Sequence, residues 1–165
     1  MSSVCWTRVD DRLLHGQVTV GWRQYLRYRA VCVVDDETGS DPFLQEVLRL
    51  AAPDEVTVRV YTVEEAITAL ATPATARTLI LVKTPQVALL LVEGGVALAQ
   101  LNVGNVAPGP GSVRVFRSIS LNDGHVAALD ALAARGVQIT FQLTPDDARA
   151  DWPAVRQRYV SARRG

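Results

Sequence analysis

Short runs dense in valine, isoleucine and leucine recur along this chain without strict polar alternation, and most are followed by a helix-start signal. A strand that is apolar on both faces must be covered on both faces, which a sheet lying between two helix layers achieves. The runs at 3–9, 30–34, 55–61, 78–82, 96–103, 113–119 and 137–143 read as strands. Asp41-Pro42 places a capping aspartate before a first-turn proline, ahead of Phe43, Val47, Leu48 and Ala51 at helical spacing. Thr62-Val63-Glu64-Glu65 is a capping box, and Ser120-Leu121-Asn122-Asp123 is a similar start signal. Arg135-Gly136 supplies a basic last turn and a terminating glycine.

Strand–helix–strand alternation at this spacing predicts βαβ units. The one exception joins 96–103 to 113–119 through Gly104-Asn105-Val106-Ala107-Pro108-Gly109-Pro110-Gly111, too short for a helix and suited to a hairpin or an irregular loop. The expectation is a single α/β domain over residues 1–165: three α/β/α layers around a mostly parallel sheet of about seven strands.

Composition narrows what such a domain does. Apolar residues are 48% of the 165 and charged residues 21%, enough for one buried core and unlike a disordered chain. Seventeen basic residues balance seventeen acidic ones, so nothing draws the whole molecule to nucleic acid. The longest unbroken apolar segment, 87–92, is far too short to cross a bilayer, and the N-terminus does not read as a signal peptide. These features predict a cytoplasmic protein. Cys5 and Cys32 sit in apolar runs and read as buried structural thiols. No metal-ligand cluster accompanies them. The first strand is not followed by GxGxxG, and no GxxxxGK[ST] occurs, so a nucleotide-binding reading is disfavoured and no cofactor is expected.

In open α/β sheets, ligands bind beyond the carboxyl ends of the strands. The most loaded loop there is Arg8-Val9-Asp10-Asp11-Arg12-Leu13-Leu14-His15-Gly16-Gln17-Val18, which leaves the first strand and enters a helix over 17–26. A histidine ahead of a helix N-terminus, with arginines nearby, suits a phosphoryl group: free N–H groups receive anions and guanidinium groups clamp phosphate oxygens. A surface histidine among loop ion pairs is the plainer alternative.

That segment closely resembles the active-site loop of the IIB component of the mannose/fructose/sorbose family of the bacterial sugar phosphotransferase system. The resemblance continues through Val33-Val34-Asp35-Asp36, Leu91-Val92-Glu93-Gly94-Gly95-Val96 and Leu101-Asn102-Val103-Gly104. It implies a phosphoryl relay. A phosphorylated IIA protein or domain donates to His15, which passes the group to a sugar held by the IIC/IID membrane components. An imidazole, titrating ordinarily near pH 6.5, is nucleophilic at cytoplasmic pH. Carried over by position, His15 is the acceptor; Arg12, three residues before it, is the first choice for the phosphate-facing cation. Arg8 is the second choice. Asp10 orients an arginine or the imidazole, while Gly16 and Gln17 offer backbone N–H groups to the phosphate. Asp35, ending the second strand, is expected to face the same crevice in support. For Asp11 a solvated turn or salt bridge is an equal alternative.

The chain departs from the family pattern at Asn105, where relatives carry a second glycine; asparagine tolerates the left-handed backbone better than most residues. The charge-free loop that follows raises an alternative: a regulatory phosphohistidine module no longer coupled to transport. His125 reads as a solvent-facing helix histidine and Trp6, Trp22 and Trp152 as packing residues. The basic tail around Arg156, Arg158, Arg163 and Arg164 reads as a frayed, solvated helix. A homodimer is left open, and peripheral association with the membrane would come through IIC/IID.

Overall fold

Branched side chains at every position of a run favour extended backbone, and those runs form the centre of the fold. The structure, a computed structural model, describes residues 5–165, so Ser3 and Val4 of the first expected strand lie outside the described residues. Among the described residues the strands are β1 (Cys5–Asp10), β2 (Ala30–Val34), β3 (Thr57–Tyr61), β4 (Thr78–Val82), β5 (Gln100–Asn105), β6 (Val113–Phe116), β7 (Ile119–Leu121), β8 (Gln138–Phe141) and β9 (Ala150–Asp151). Seven of them make one sheet in the order β3-β2-β4-β1-β5-β8-β9. All its pairings are parallel except β8 with β9.

The two-sided apolar reading of the strands is borne out. Val31, Val33, Leu79 and Leu81 point into one core, together with Leu14, Val18, Trp22 and Leu48. Their neighbours Cys32, Val34, Ile80 and Val82 point into the other, with Leu91, Leu129, Trp152 and Val155. Cys32 is buried, which pushes its thiol up to about 11; Cys5, expected to be buried too, is only half-buried.

A π-helix (Gln17–Trp22) runs directly into α1 (Arg23–Leu26), matching the expected helix over 17–26. The remaining helices are α2 (Asp36–Gly39), α3 (Pro42–Ala51), α4 (Val63–Ala69), α5 (Pro85–Glu93), α6 (Asp123–Ala134) and α7 (Trp152–Arg164). Asp41 caps α3 by accepting from Phe43 and Leu44 N–H, and Thr62 with Glu65 forms the capping box of α4. Helix α5 ends on Gly94 and Gly95, the latter at φ +98°, with Val96 N–H returning to Leu91 C=O. That turn delays β5 to Gln100, four residues after the expected start.

Two further expectations are corrected. The run 113–119 is not one strand. It turns at Arg117, whose φ of +38° is left-handed, so that β6 and β7 pair antiparallel in a separate two-stranded sheet. Of the two forms expected for the connection from β5 to β6, a hairpin or an irregular loop, it takes the second. The C-terminal helix is docked rather than frayed: Trp152, Val155 and Tyr159 are buried, Arg156 pairs with Asp130 at 2.9 Å, and Arg163 with Asp123 at 3.1 Å. No helix among the described residues is long and apolar enough to cross a membrane.

The chain leaves β1 toward β2 on one side, whereas β5 lies on the other side of β1 and leads on to β8. The carboxyl ends of β1 and β5 therefore flank the point where connections diverge, the crevice position of an open parallel sheet.

Candidate active site

The first loop folds back over the end of β1 around one carboxylate. Asp10 is fully buried and the most heavily bonded group there. Its Oδ1 accepts from Arg12 N–H at 3.0 Å and Arg12 Nε at 3.1 Å. Its Oδ2 accepts from Arg8 Nη2 at 3.2 Å and Arg12 Nη2 at 3.3 Å, and meets His15 Nε2 at 2.8 Å. Leu13, in the left-handed region at φ +57°, makes the reversal that brings His15 back over Asp10, closed by Leu13 N–H on Asp10 C=O.

Burial alone would raise the Asp10 carboxyl. The hydrogen bonds from His15 and Arg12 and the charge of Arg8 outweigh it and hold the pKa below the usual carboxylate value. Asp10 is therefore ionised at neutral pH and can only accept, so the His15 proton at this contact belongs on Nε2. The lone pair of a neutral imidazole then sits on Nδ1.

The sign of the pH dependence follows. A carboxyl whose folded pKa lies below its unfolded value near 3.9 stabilises fully above the latter and loses that contribution as pH falls through the former. Asp35 is lowered as well, by hydrogen bonds from Thr38 and by Lys83 against the opposing effect of burial. Urea unfolding free energies are thus expected to hold steady from pH 7 to about 5 and to drop steadily below about pH 4. A flat profile down to pH 2.5 would contradict the assignment of the Asp10 contacts.

Arg12 is 42% exposed at the mouth of the crevice. Its Nε and Nη2 are spent on Asp10, and Nη2 also reaches Gln17 Oε1 at 3.1 Å. Its Nη1 has no partner among the described residues and is available to an incoming oxyanion. Gly16 and Gln17 are exposed at the start of the π-helix, which no side chain caps. Val18 and Thr19 N–H close onto His15 C=O, and no carbonyl among the described residues takes the N–H of Gly16 or Gln17. A Cβ on Gly16 would meet nothing within 4 Å, so the space beside these donors is open. His15, Arg12, Asp10, Gly16 and Gln17 are therefore brought together.

Two residues are placed differently. Arg8 is fully buried, with Nη1 donating to Asn102 Oδ1 at 2.5 Å and Gln142 C=O at 3.1 Å, and Nη2 to Leu143 C=O at 3.0 Å as well as Asp10. The Trp22 ring lies 5.2 Å from its Cζ. All four Nη hydrogens are committed, so Arg8 anchors Asp10 and does not face a phosphate. Burial pulls its pKa down to about 10 despite Asp10, and it stays cationic at neutral pH. Asp35 is the second correction. Strand β4 lies between β2 and β1, and Asp35 caps α2 through Thr38 and pairs with Lys83 at 3.4 Å.

Several partners escaped the sequence reading. Asp11 is no solvated turn: Asn105 Nδ2 and Ala107 N–H donate to it, the latter at 2.7 Å, tying the first loop to the loop after β5. Asn105 itself is extended within β5, not left-handed. Asn102 and the carbonyls of Gln142 and Leu143 hold Arg8. A lone asparagine inside the apolar run Leu101–Val103 was the available signal, because a buried amide needs a partner. His125 is half-buried, not solvent-facing, and accepts from Asn122 N–H through Nδ1 at 3.1 Å as the return half of the α6 cap. Trp22, Trp6 and Trp152 pack as expected.

The chain is similar to known proteins over most of its length. The family described as "PTS system sorbose subfamily IIB component" matches residues 4–162. The N-acetylgalactosamine-specific phosphotransferase enzyme IIB component 2 of Escherichia coli K12 is 32% identical, over 92% of this chain and 97% of its own. The mannose-specific EIIAB component of the same organism is 33% identical over 86% of this chain, which spans 45% of that longer protein. The crystal structure of the IIB domain of the sorbose permease from Klebsiella pneumoniae superposes with a TM-score of 0.84 at 29% identity, covering 92% of this chain and 93% of that one.

Proposed function

We propose, for a chain that belongs to the sorbose subfamily of phosphotransferase-system IIB components, that His15 is its phosphoryl-carrying residue and Nδ1 the nitrogen that carries the group. The protein is a phosphoryl-carrier subunit of a sugar phosphotransferase system. The observation that carries the finer reading is the 2.8 Å contact of His15 Nε2 with an ionised, fully buried Asp10. It leaves Nδ1 as the nucleophile.

In the forward step Nδ1 attacks the phosphorus of a phosphohistidine on the IIA partner. The Nδ1–P bond forms as the donor's N–P bond breaks, and the donor imidazole takes back its electron pair. His15 becomes a cation that keeps its proton on Nε2, beside the Asp10 carboxylate. Charge on the equatorial oxygens in transit meets Arg12 Nη1 and the Gly16 and Gln17 N–H groups, and phosphoryl transfer depends mainly on such positioned charge. The reverse geometry delivers the group to a sugar held by IIC/IID. Beside His15, a groove along the π-helix exposes Val20 and Tyr25 against Thr144 and Pro145, and this apolar lip is the docking surface we assign to the IIA partner. The protein would work in the cytoplasm and meet the membrane only through IIC/IID.

The test is phosphorylation of the whole chain with phosphoenolpyruvate, Enzyme I, HPr and the cognate IIA, followed by nitrogen and phosphorus NMR of the trapped product. The reading requires one acid-labile phosphoryl group on Nδ1 of His15; a group on Nε2, or on another residue, refutes it. Arg12→Ala is expected to slow single-turnover transfer by about 10³-fold, the scale of a lost phosphate-facing arginine. Stability should change little, because Asp10 keeps its bonds from Arg8, from His15 and from the Arg12 backbone N–H. A rate within threefold of the parent would remove Arg12 from the transfer step.

A further inference from the structure

Resting on the reading of His15 above, we infer that Asn102 and Gly104, neither of which touches the histidine, are positioning residues that select the nitrogen receiving the phosphoryl group. They act on β5 through Arg8. Strands β1 and β5 run parallel with Arg8 opposite Asn102 and Val9 opposite Val103, but Asp10 is then opposite Asn105. Gly104 is the extra residue of this irregularity. Bulges of this kind re-aim side chains where they occur.

Gly104 is the place where Arg8 crosses. A Cβ built on Gly104 would lie 1.9 Å from Arg8 Cζ, 2.0 Å from Nη2 and 2.2 Å from Nη1. No side chain fits there while the guanidinium occupies its position, and the φ of Gly104 is not left-handed, so space and not backbone freedom calls for glycine. Asn102 fixes the other end. Its Oδ1 accepts from Arg8 Nη1 at 2.5 Å, and its Nδ2 reaches Gln142 C=O at 3.4 Å, the same carbonyl that Arg8 uses. Asn102 is 1% exposed and Arg8 fully buried.

The string is therefore continuous: Asn102 and Gly104 hold the guanidinium plane, the guanidinium holds Asp10 Oδ2, and Oδ2 holds Nε2–H of His15. Arg12 bonds the same carboxylate mainly at Oδ1 and reaches Oδ2 only through Nη2 at 3.3 Å from a partly exposed position, so Arg8 is the buried anchor of Oδ2. If Arg8 is displaced, Arg12 is the only arginine holding the carboxylate, Oδ2 keeps just the longer of its two arginine bonds, at 3.3 Å, and the contact that favours Nε2–H over Nδ1–H is weakened. Both ring nitrogens then become acceptors.

The tautomer can be read directly in uniformly ¹⁵N-labelled protein, because the chain has only two histidines, His15 and His125. The parent protein is expected to show His15 as the Nε2–H form. Asn102→Leu removes the acceptor while keeping the side chain's branching. It should lower the Nε2–H to Nδ1–H ratio by about tenfold, the weight of one net hydrogen bond, and direct a measurable share of phosphoryl groups to Nε2. Asn102→Asp keeps the acceptor and should restore the parent ratio. Gly104→Ala should act like Arg8→Met, and the pair together should shift the ratio no further than Arg8→Met alone, since both work through one guanidinium. Should Gly104→Ala not fold, the two Asn102 variants still decide.

A folded Asn102→Leu protein with the parent's tautomer and phosphoryl nitrogen would overturn the inference, as would additive effects of Gly104→Ala and Arg8→Met. Should the parent protein accept no phosphoryl group at all, the functional reading falls, while the tautomer ratios of the unphosphorylated proteins still test this string.

Discussion

His15→Ala gains no mass on incubation with the phosphorylated donor, under conditions where the parent protein gains about 80 Da, one phosphoryl group. The effect is expected to be total, because nothing near His15 replaces an imidazole. The other histidine, His125, is half-buried in the α6 cap with its Nδ1 bound to Asn122 N–H. The fold should survive the substitution. The His15 side chain is 18% exposed, and Asp10 keeps its bonds from Arg8 and from Arg12 through Nε and backbone N–H. Circular dichroism and the urea midpoint should therefore stay close to the parent's. His125→Ala is the matching control: full phosphoryl acceptance, with a loss of stability of about 1 kcal/mol from the broken reciprocal cap. Phosphorylation of His15→Ala at any residue, or failure of His125→Ala to accept, would reverse the assignment.

Asp10→Asn should injure the protein twice. The substitution leaves Arg8 buried without a counter-charge, and removing one partner of a buried pair costs about 3–5 kcal/mol. Urea unfolding should show that loss with an unchanged slope, and the fall in stability at acid pH should become shallower. The chemistry should fail separately. A neutral amide no longer demands a proton on Nε2 and does not stabilise the imidazolium formed when phosphorus bonds to Nδ1. By the scale on which misdirecting a catalytic imidazole costs a hydrolase triad, the transfer rate should drop by about 10³-fold or more. Quench-flow at a temperature where the variant stays folded separates the two effects. A variant within 1 kcal/mol and tenfold in rate of the parent would mean that Asp10 merely caps the loop.

How much could be read beforehand depended on whether the deciding contacts lay close in sequence. The strands Ala30–Val34 and Thr78–Val82 were legible to the residue because valine, leucine and isoleucine dominate them and both faces are buried. The turn that splits 113–119 was not. Arg117 at φ +38° followed by Ser118 makes a reversal without glycine or proline, and Val113, Val115, Phe116 and Ile119 continue the apolar pattern across it. In the site, the cluster of Asp10, Arg12, His15 and Gln17 was legible because it spans a single loop. Arg8 was misread because its partners come from β5 and from the end of β8, and nothing local announces that those segments close over it. Asp35 was misread because the insertion of β4 between β2 and β1 is a property of strand order. Asn105 does not take the left-handed backbone, yet it binds Asp11, so the altered loop is tied to the site and not detached from it.

Trp22 gives this site an optical consequence. Its indole is 1% exposed, lies tilted against Trp6 with ring centroids 4.7 Å apart, donates Nε1–H to the same Leu143 carbonyl that Arg8 uses, and lies against the Arg8 guanidinium. An indole's emission follows the electric field along its ring, and here a guanidinium 5.2 Å from the ring belongs to the group that anchors the carboxylate under the histidine. Intrinsic fluorescence, to which Trp6 and Trp152 also contribute, is therefore expected to respond to changes at the chemical centre without a label. It would let phosphoryl arrival and departure be followed in real time on unmodified protein.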